Sequence, residues 1–214
     1  MIGAGSFAAT THLPNIAKRK DIFDLRAVVS KKGLTAKQYA VQYNASYCGT
    51  DYEEILRDKE IDAVLIATRH NLHAKMVLEA LKAGKAVFVE KPLAITKTEL
   101  EELKIFLNYN WASAENSSAP QYPASPILTV GFNRRFSPFA QRIRELTAHR
   151  KNPLIVNYRV NAGYLAADHW TQGEQGGGRI IGEACHFLDL FQFWTDAKPV
   201  KFTATAIKPH TKDT

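Results

Sequence analysis

The chain has 214 residues, 45% of them hydrophobic, a net charge of +7 and two cysteines. This length suffices for one or two domains with a sizeable core, and Cys48 and Cys185, far apart and outside any CxxC spacing, exclude a disulfide framework and a cysteine metal or redox motif. No run is apolar enough to span a bilayer, the first residues lack a signal-peptide pattern, and the basic clusters Lys18-Arg19-Lys20 and Lys31-Lys32 carry no aromatic RNA-binding signature, so a cytoplasmic protein without nucleic-acid or membrane partners is expected.

The chain opens on Gly3-Ala4-Gly5-Ser6-Phe7-Ala8. After a strand, such a turn uses Gly3 for its backbone angles, Gly5 for close approach of a pyrophosphate, and a small residue, here Ala8, where helix meets strand. The helix N-terminus that follows would offer N–H groups and a partial positive charge to phosphates. The same glycines alone fit an ordinary turn equally well. Pro14 predicts only a short helix, and the strand before Gly3 is expected to be nearly absent.

Leu25 to Val29 reads as a buried strand, Thr35 to Tyr43 as a helix, Ile61 to Thr68 as a second apolar strand, Ala74 to Leu81 as a helix closed by Gly84, and Ala86 to Val89 as another strand. Thr50 with Glu53 and Thr96 with Glu99 have capping-box spacing. Strands apolar on both faces and separated by helices imply a doubly wound parallel sheet, whose ligand crevice lies beyond the carboxyl ends of its strands. Gly3 to Ala8, Ser30 to Lys32, Thr68 to Asn71 and Glu90 to Pro92 should therefore converge on one edge.

Residues 111–126, rich in Ser, Ala, Asn and Pro, read as a loop or connection between a dinucleotide-binding domain, 1–110, and the start of a second domain, 127–214. In that second part Ile127 to Phe132 reads as a strand, Ser137 to His149 as an amphipathic helix, Leu154 to Val160 as a strand, Phe187 to Trp194 as a helix and Val200 to Ile207 as a strand. The expected fold class is α/β, a doubly wound domain followed by an α+β domain with an open sheet.

Gly3-Ala4-Gly5, Asp62 to Thr68 with His73, Ala83-Gly84-Lys85 leading to Glu90-Lys91-Pro92, Gly131 to Phe136, and Gly176-Gly177-Gly178 leading to His186 and Asp189 come in one order. That ordered set resembles the Gfo/Idh/MocA oxidoreductases, the relatives of glucose-fructose oxidoreductase and inositol dehydrogenase. The resemblance implies an N-terminal Rossmann domain, a mostly antiparallel sheet in the C-terminal domain, NAD(P) as cofactor, and a sugar, cyclitol or sugar-nucleotide substrate. It also implies a homodimer or homotetramer formed through that sheet, with Leu154 to Val160 and Val200 to Ile207 on the shared face. Family members are typically well over 300 residues, so the chain is expected to be part of a longer one.

By this resemblance Lys91 and His186 are the catalytic candidates, Lys91 positioning the hydroxyl and assisting proton transfer and His186 lying at the substrate. Imidazole, with an unperturbed pKa near neutrality, suits acid/base work. The family's aspartate four residues before the histidine falls on Gly182, and the carboxylate of Glu183 stands one residue later. The candidate cofactor contacts are Gly3, Gly5, Ser6 and Phe7, then Ser30 and Lys31, then Thr68, Arg69 and His73, and finally Glu90 and Lys91. Ser30-Lys31-Lys32 ends the second strand without a carboxylate, which favours NADP over NAD, the alternative being two solvated lysines. Candidate substrate contacts are Asn133, Arg134, Tyr164, Trp170, Glu183 and His186, with Arg134 or Arg135 available to a charged substrate or to ion pairs. His169 and His186 lack further spaced ligands, so no metal is expected. An NAD-dependent glycoside hydrolase of the same fold and a non-catalytic dinucleotide-binding protein are the alternative readings.

Overall fold

A computed structural model describes residues 1–116 and 127–205. Two compact units divide at Gly131, one of residues Met1–Gly131 and one beginning at Phe132.

The first unit is built on five parallel strands: β1 (Ala27–Val29), β2 (Tyr47–Gly49), β3 (Ala63–Ile66), β4 (Ala86–Val89) and β5 (Leu128–Val130). β1 pairs with β2, and β3-β4-β5 form a second group. Residues 1–3 join the two groups, with Ile2 bridging in parallel to Val29 on one side and Ile66 on the other. Ile2 N–H donates to Leu65 O and Ala67 N–H to Ile2 O, both at 2.8 Å; Gly3 N–H donates to Val29 O at 2.8 Å and Val29 N–H to Met1 O at 2.9 Å. In place of a full first strand, a single residue with both its neighbours' backbone groups engaged completes the sheet. All three residues of β1 are buried, as are Ile66 and Val89, as expected of a sheet covered on both faces.

Residues 6–18 form one helical run in which a π turn, Ala8–His12, leads into α1 (Leu13–Lys18). The short helix expected from Pro14 is corrected by that turn. Proline lacks an N–H and its ring crowds the carbonyl four residues back; the wider turn, in which Leu13 N–H reaches Ala8 O, takes up the misfit. α2 (Gly33–Tyr43) stops at Asn44, which adopts the left-handed conformation. At α3 (Glu53–Arg57) the expected Thr50 cap is replaced by Asp51, whose carboxylate accepts from Glu53 N–H at 2.9 Å. α4 (His73–Lys82) closes before Gly84, which has φ +74°. The capping box at α5 (Lys97–Asn116) forms as expected, Glu99 N–H donating to Thr96 Oγ1 at 3.2 Å and Thr96 N–H to Glu99 Oε2 at 2.9 Å.

α5 continues through residues 111–116, where a loop was expected, since a helix already nucleated propagates readily through alanine and glutamate; residues 117–126 lie outside the described ones. β5 pairs in parallel with β4, which brings residues 127–131 into the first unit. At the amino ends of the strands, buried Lys85 donates to Asp58 O at 2.6 Å and Ile61 O at 2.8 Å. Arg26 meets the Asp58 carboxylate at 2.7 Å and Tyr47 donates to it at 3.2 Å. The arginine hydrogen bond holds the Asp58 carboxyl below its ordinary range.

In the second unit, α6 (Pro138–Thr147), capped by Ser137 accepting from Ala140 N–H at 3.2 Å, packs on α7 (Cys185–Thr195). Ala140, Leu190 and Trp194 form the buried contact, and Trp194 Nε1 donates to Ala140 O at 3.1 Å. Arg144 donates to Phe193 O, and Arg150 to Thr195 O at 2.8 Å, so cations on or just after α6 satisfy the last carbonyls of α7. The strands expected at Leu154 to Val160 and Val200 to Ile207 carry no ladder among the described residues, and residues 206–207 lie outside them. A ladder requires a partner backbone. The 154–160 segment instead lays the Tyr158 ring on α7, 5.4 Å from Phe187 and 5.8 Å from Phe191. No described helix is long and apolar enough to cross a membrane.

Gly3 has φ +89°, and a Cβ there would lie 2.6 Å from Ala67 O. Gly3→Ala combines backbone strain with a clash against main chain and should lower stability by about 3 kcal/mol. Urea unfolding at constant m-value measures it.

Candidate functional site

Because all the strands run in parallel, their carboxyl ends share an edge, and four segments of the first unit meet there: the turn after Ile2, Ser30 to Lys32 after β1, Thr68 and Arg69 after β3, and Glu90 to Pro92 after β4. The turn after Ile2 is pressed against Ala67 and Thr68, an approach only glycine permits at position 3. Two residues on, a Cβ at Gly5 would meet nothing within 4 Å. The main chain is therefore open at Gly5, beside the exposed Ser6 and Phe7 that begin the helical run. This bare backbone at a helix N-terminus fits the pyrophosphate of a dinucleotide. Ser30 is half-buried and Lys31 exposed at the end of β1.

Glu90 is the hub of the edge. Its backbone N–H donates to Ile66 O at 2.9 Å. Its carboxylate lies 2.8 Å from His12 Nε2, each side chain only 13% exposed, and also accepts from the Lys91 N–H at 3.3 Å. The carboxylate occupies the space over Gly131, where a Cβ would come within 3.0 Å of Oε1. The His12 ring stands edge-on to Phe7 and Phe88, with centroids 5.3 Å and 5.5 Å away. Lys91 is half-buried and joined to Pro92 by a cis peptide bond.

His73 is completely buried. Its Nδ1 lies 2.8 Å from Pro92 O and its Nε2 3.3 Å from Thr68 O, so the ring ties the β3 loop to the β4 loop from beneath. The ring of His73, a candidate cofactor contact, has no exposed surface and joins Thr68 to Pro92. Burial pushes its pKa below the ordinary imidazole value, outweighing the two carbonyls that favour the charged ring.

In the second unit His186 is buried on α7, 6.1 Å from the Phe132 ring in an edge arrangement. A π turn, Ile180–Ala184, precedes it; Gly182 is buried within that turn and Glu183 is half-buried. Arg135 spends its fork on Asp189, bonding both carboxylate oxygens, one at 2.6 Å, and the pair raises the arginine pKa. Asp189 is 7% exposed at its side chain, so this is an ion pair internal to the unit. Arg134 lies over the Phe187 ring at 4.7 Å. Of the proposed substrate contacts, Asn133 and Tyr164 are exposed and Trp170 half-buried. Arg179 donates to Ala162 O and Gly163 O, both at 2.8 Å, holding the loop before Tyr164.

Residues 1–109 match the family described as "Oxidoreductase family, NAD-binding Rossmann fold", GFO_IDH_MocA. The chain belongs to the Gfo/Idh/MocA oxidoreductases. It is 32% identical over 153 residues to inositol 2-dehydrogenase 2 of Paenarthrobacter aurescens, covering 71% of this chain and 42% of that protein. It is 34% identical over 188 residues to trans-1,2-dihydrobenzene-1,2-diol dehydrogenase of Bos taurus, covering 86% and 52%. A myo-inositol dehydrogenase structure from Sinorhizobium meliloti, described as putative, superposes with a TM-score of 0.72 at 23% identity, over 93% of this chain and 55% of that one. The chain thus spans about half the length of the relatives it matches.

In this Gfo/Idh/MocA chain the Glu-Lys-Pro turn and the glycine turn share one edge, as strand–helix alternation implies, whereas His12 carries no signal in the sequence. Its partner is 78 residues away, and nothing in the local pattern of Thr-Thr-His-Leu-Pro separates a buried, bonded histidine from an exposed one.

His73 gives the fold a pH dependence of definite sign. Its folded pKa is depressed below about 6.5, so the unfolded chain binds more protons in the window just below that value. Its contribution is complete above pH 6.5 and is lost as pH falls towards the folded pKa. Thermal unfolding between pH 8 and pH 5 should show this decline, and His73→Asn should flatten it.

Proposed function

We propose that this protein is an NAD(P)-dependent oxidoreductase that moves hydride between the nicotinamide and a sugar, cyclitol or sugar-nucleotide substrate. The observation that carries the reading is the Glu90-Lys91-Pro92 turn at the carboxyl end of β4, on the same edge as the open glycine turn of a Rossmann sheet. The bare backbone at Gly5 and the N-terminus of the helical run would hold the pyrophosphate. Ser30 and Lys31 would hold the adenosine ribose, with a 2′-phosphate suiting the lysine better than two free hydroxyls do, so NADP is the preferred cofactor.

When bound, the nicotinamide supplies the hydride acceptor or donor at C4. The chain supplies the proton chemistry. Oxidation of a carbinol requires loss of the hydroxyl proton as hydride leaves carbon, and reduction requires its return. Lys91, half-buried and with its N–H on the Glu90 carboxylate, is the proposed donor that orients the hydroxyl. His186 is the proposed acid/base group on the second unit. With glycine at 182, Glu183 is the nearest preceding carboxylate on that helix, three residues ahead of the histidine. Asn133, Arg134, Tyr164 and Trp170 are the proposed substrate contacts, with aromatic and guanidinium surfaces suited to a polyhydroxylated ring. Arg135, committed to Asp189, is not among them.

Titration calorimetry at fixed salt should give roughly tenfold tighter binding of NADP than NAD, and Lys31→Ala should erase the difference, the equivalent of one charge-assisted hydrogen bond. Across a sugar and polyol panel, Lys91→Ala should lower kcat by about a hundredfold or more. Turnover that releases no reduced cofactor would point to the glycoside hydrolase, and cofactor binding without turnover to the non-catalytic reading that Gly182 favours.

A further inference from the structure

The helical run that follows the glycine turn does more than present its N-terminus. Its π turn ends at His12, and His12 Nε2 reaches the Glu90 carboxylate at 2.8 Å across 78 residues of sequence. Both side chains are largely withdrawn from water, where a hydrogen bond to a charged acceptor is firm and directional. Glu90 is also constrained elsewhere. Oε2 accepts from the Lys91 N–H, the residue's own N–H is bonded to Ile66, and Gly131 leaves no more room below the carboxylate than the absence of a Cβ provides. The carboxylate is thus held by the helix on one side and by the Lys91 peptide on the other.

We propose that His12 is a positioning residue for Lys91, acting through Glu90. The proposal rests on the reading of Lys91 as the hydroxyl-orienting group. The peptide joining residues 90 and 91 has its N–H directed at the Glu90 carboxylate, so fixing that carboxylate fixes the plane from which the Lys91 side chain departs. The same contact connects the dinucleotide turn to the Glu-Lys-Pro turn through one helix, so the lysine is registered against the segment proposed to hold the cofactor. Errors of about 1 Å in such alignment cost on the order of a hundredfold in rate.

Two substitutions separate the hydrogen bond from the packing. His12→Phe retains an aromatic ring against Phe7 and Phe88 but removes the N–H; His12→Gln places an amide N–H near the position of Nε2. Gly131→Ala disturbs the carboxylate from the opposite side. The first readout is the amine-labelling rate of Lys91, followed by mass spectrometry against the exposed Lys59 as internal reference. It should change about threefold or more in His12→Phe and Gly131→Ala and return towards wild type in His12→Gln. The second is kinetics: kcat should fall by ten- to a hundredfold in His12→Phe, with the cofactor Kd within about twofold, and recover in His12→Gln. An unchanged Lys91 labelling rate in His12→Phe, or equal effects of His12→Phe and His12→Gln, overturns the proposal. If the wild-type protein turns over no member of the panel, the reading of the function fails while the labelling comparison still decides the role of His12.

Discussion

The fold of the first unit depends on the short ladder through Ile2. Without it β1 and β2 form one parallel pair, β3, β4 and β5 another group, and among the described residues no backbone bond between the two is left in the sheet. With it, the carboxyl ends of all the strands become neighbours, and turns far apart in sequence share one edge. The constraint is steric as well as hydrogen-bonded. The chain leaves the sheet at Gly3 through a left-handed conformation pressed against Ala67, so the direction in which the dinucleotide turn sets out is fixed by the sheet it has just completed.

The two edges of that sheet are treated differently. At the amino edge polar groups are consumed: the Lys85 ammonium closes two loop carbonyls, and the Asp58 carboxylate is shared by Arg26 and Tyr47. At the carboxyl edge only the foundations are fixed, by His73 beneath the loops and by His12 and Glu90 between helix and strand. Gly5 and Lys31 remain exposed. This asymmetry is what a binding edge needs, with rigidity below and available donors above.

Much of this was legible in the sequence because it is local. The apolar run Ala86 to Val89 has no reading but a buried strand, and Thr96 with Glu99 announces its helix by the spacing of two side chains. The edge itself followed from strand and helix alternating, a rule of chain topology rather than of any one residue. What escaped was pairing at a distance. Tyr47–Gly49 is too short and too polar to stand out and exists as a strand because β1 lies beside it. The assignment of β5 to the first sheet was equally invisible, since a strand does not carry the identity of its neighbour. Arg135 shows the same limit in the site: its sequence context allowed a ligand or an ion pair, and only the fold brings Asp189 to its fork.

The π turn between Ala8 and His12 has a consequence of a different kind. Such a turn holds one residue more than an α turn, and each residue of an α-helix advances by about 100°. The side chain that reaches Glu90 is therefore selected by a count of residues from the glycine turn, with the surplus residue setting the phase. Gaining or losing one position between Gly5 and His12 would swing the histidine out of reach of the carboxylate. In this stretch the number of residues decides which side chain meets Glu90.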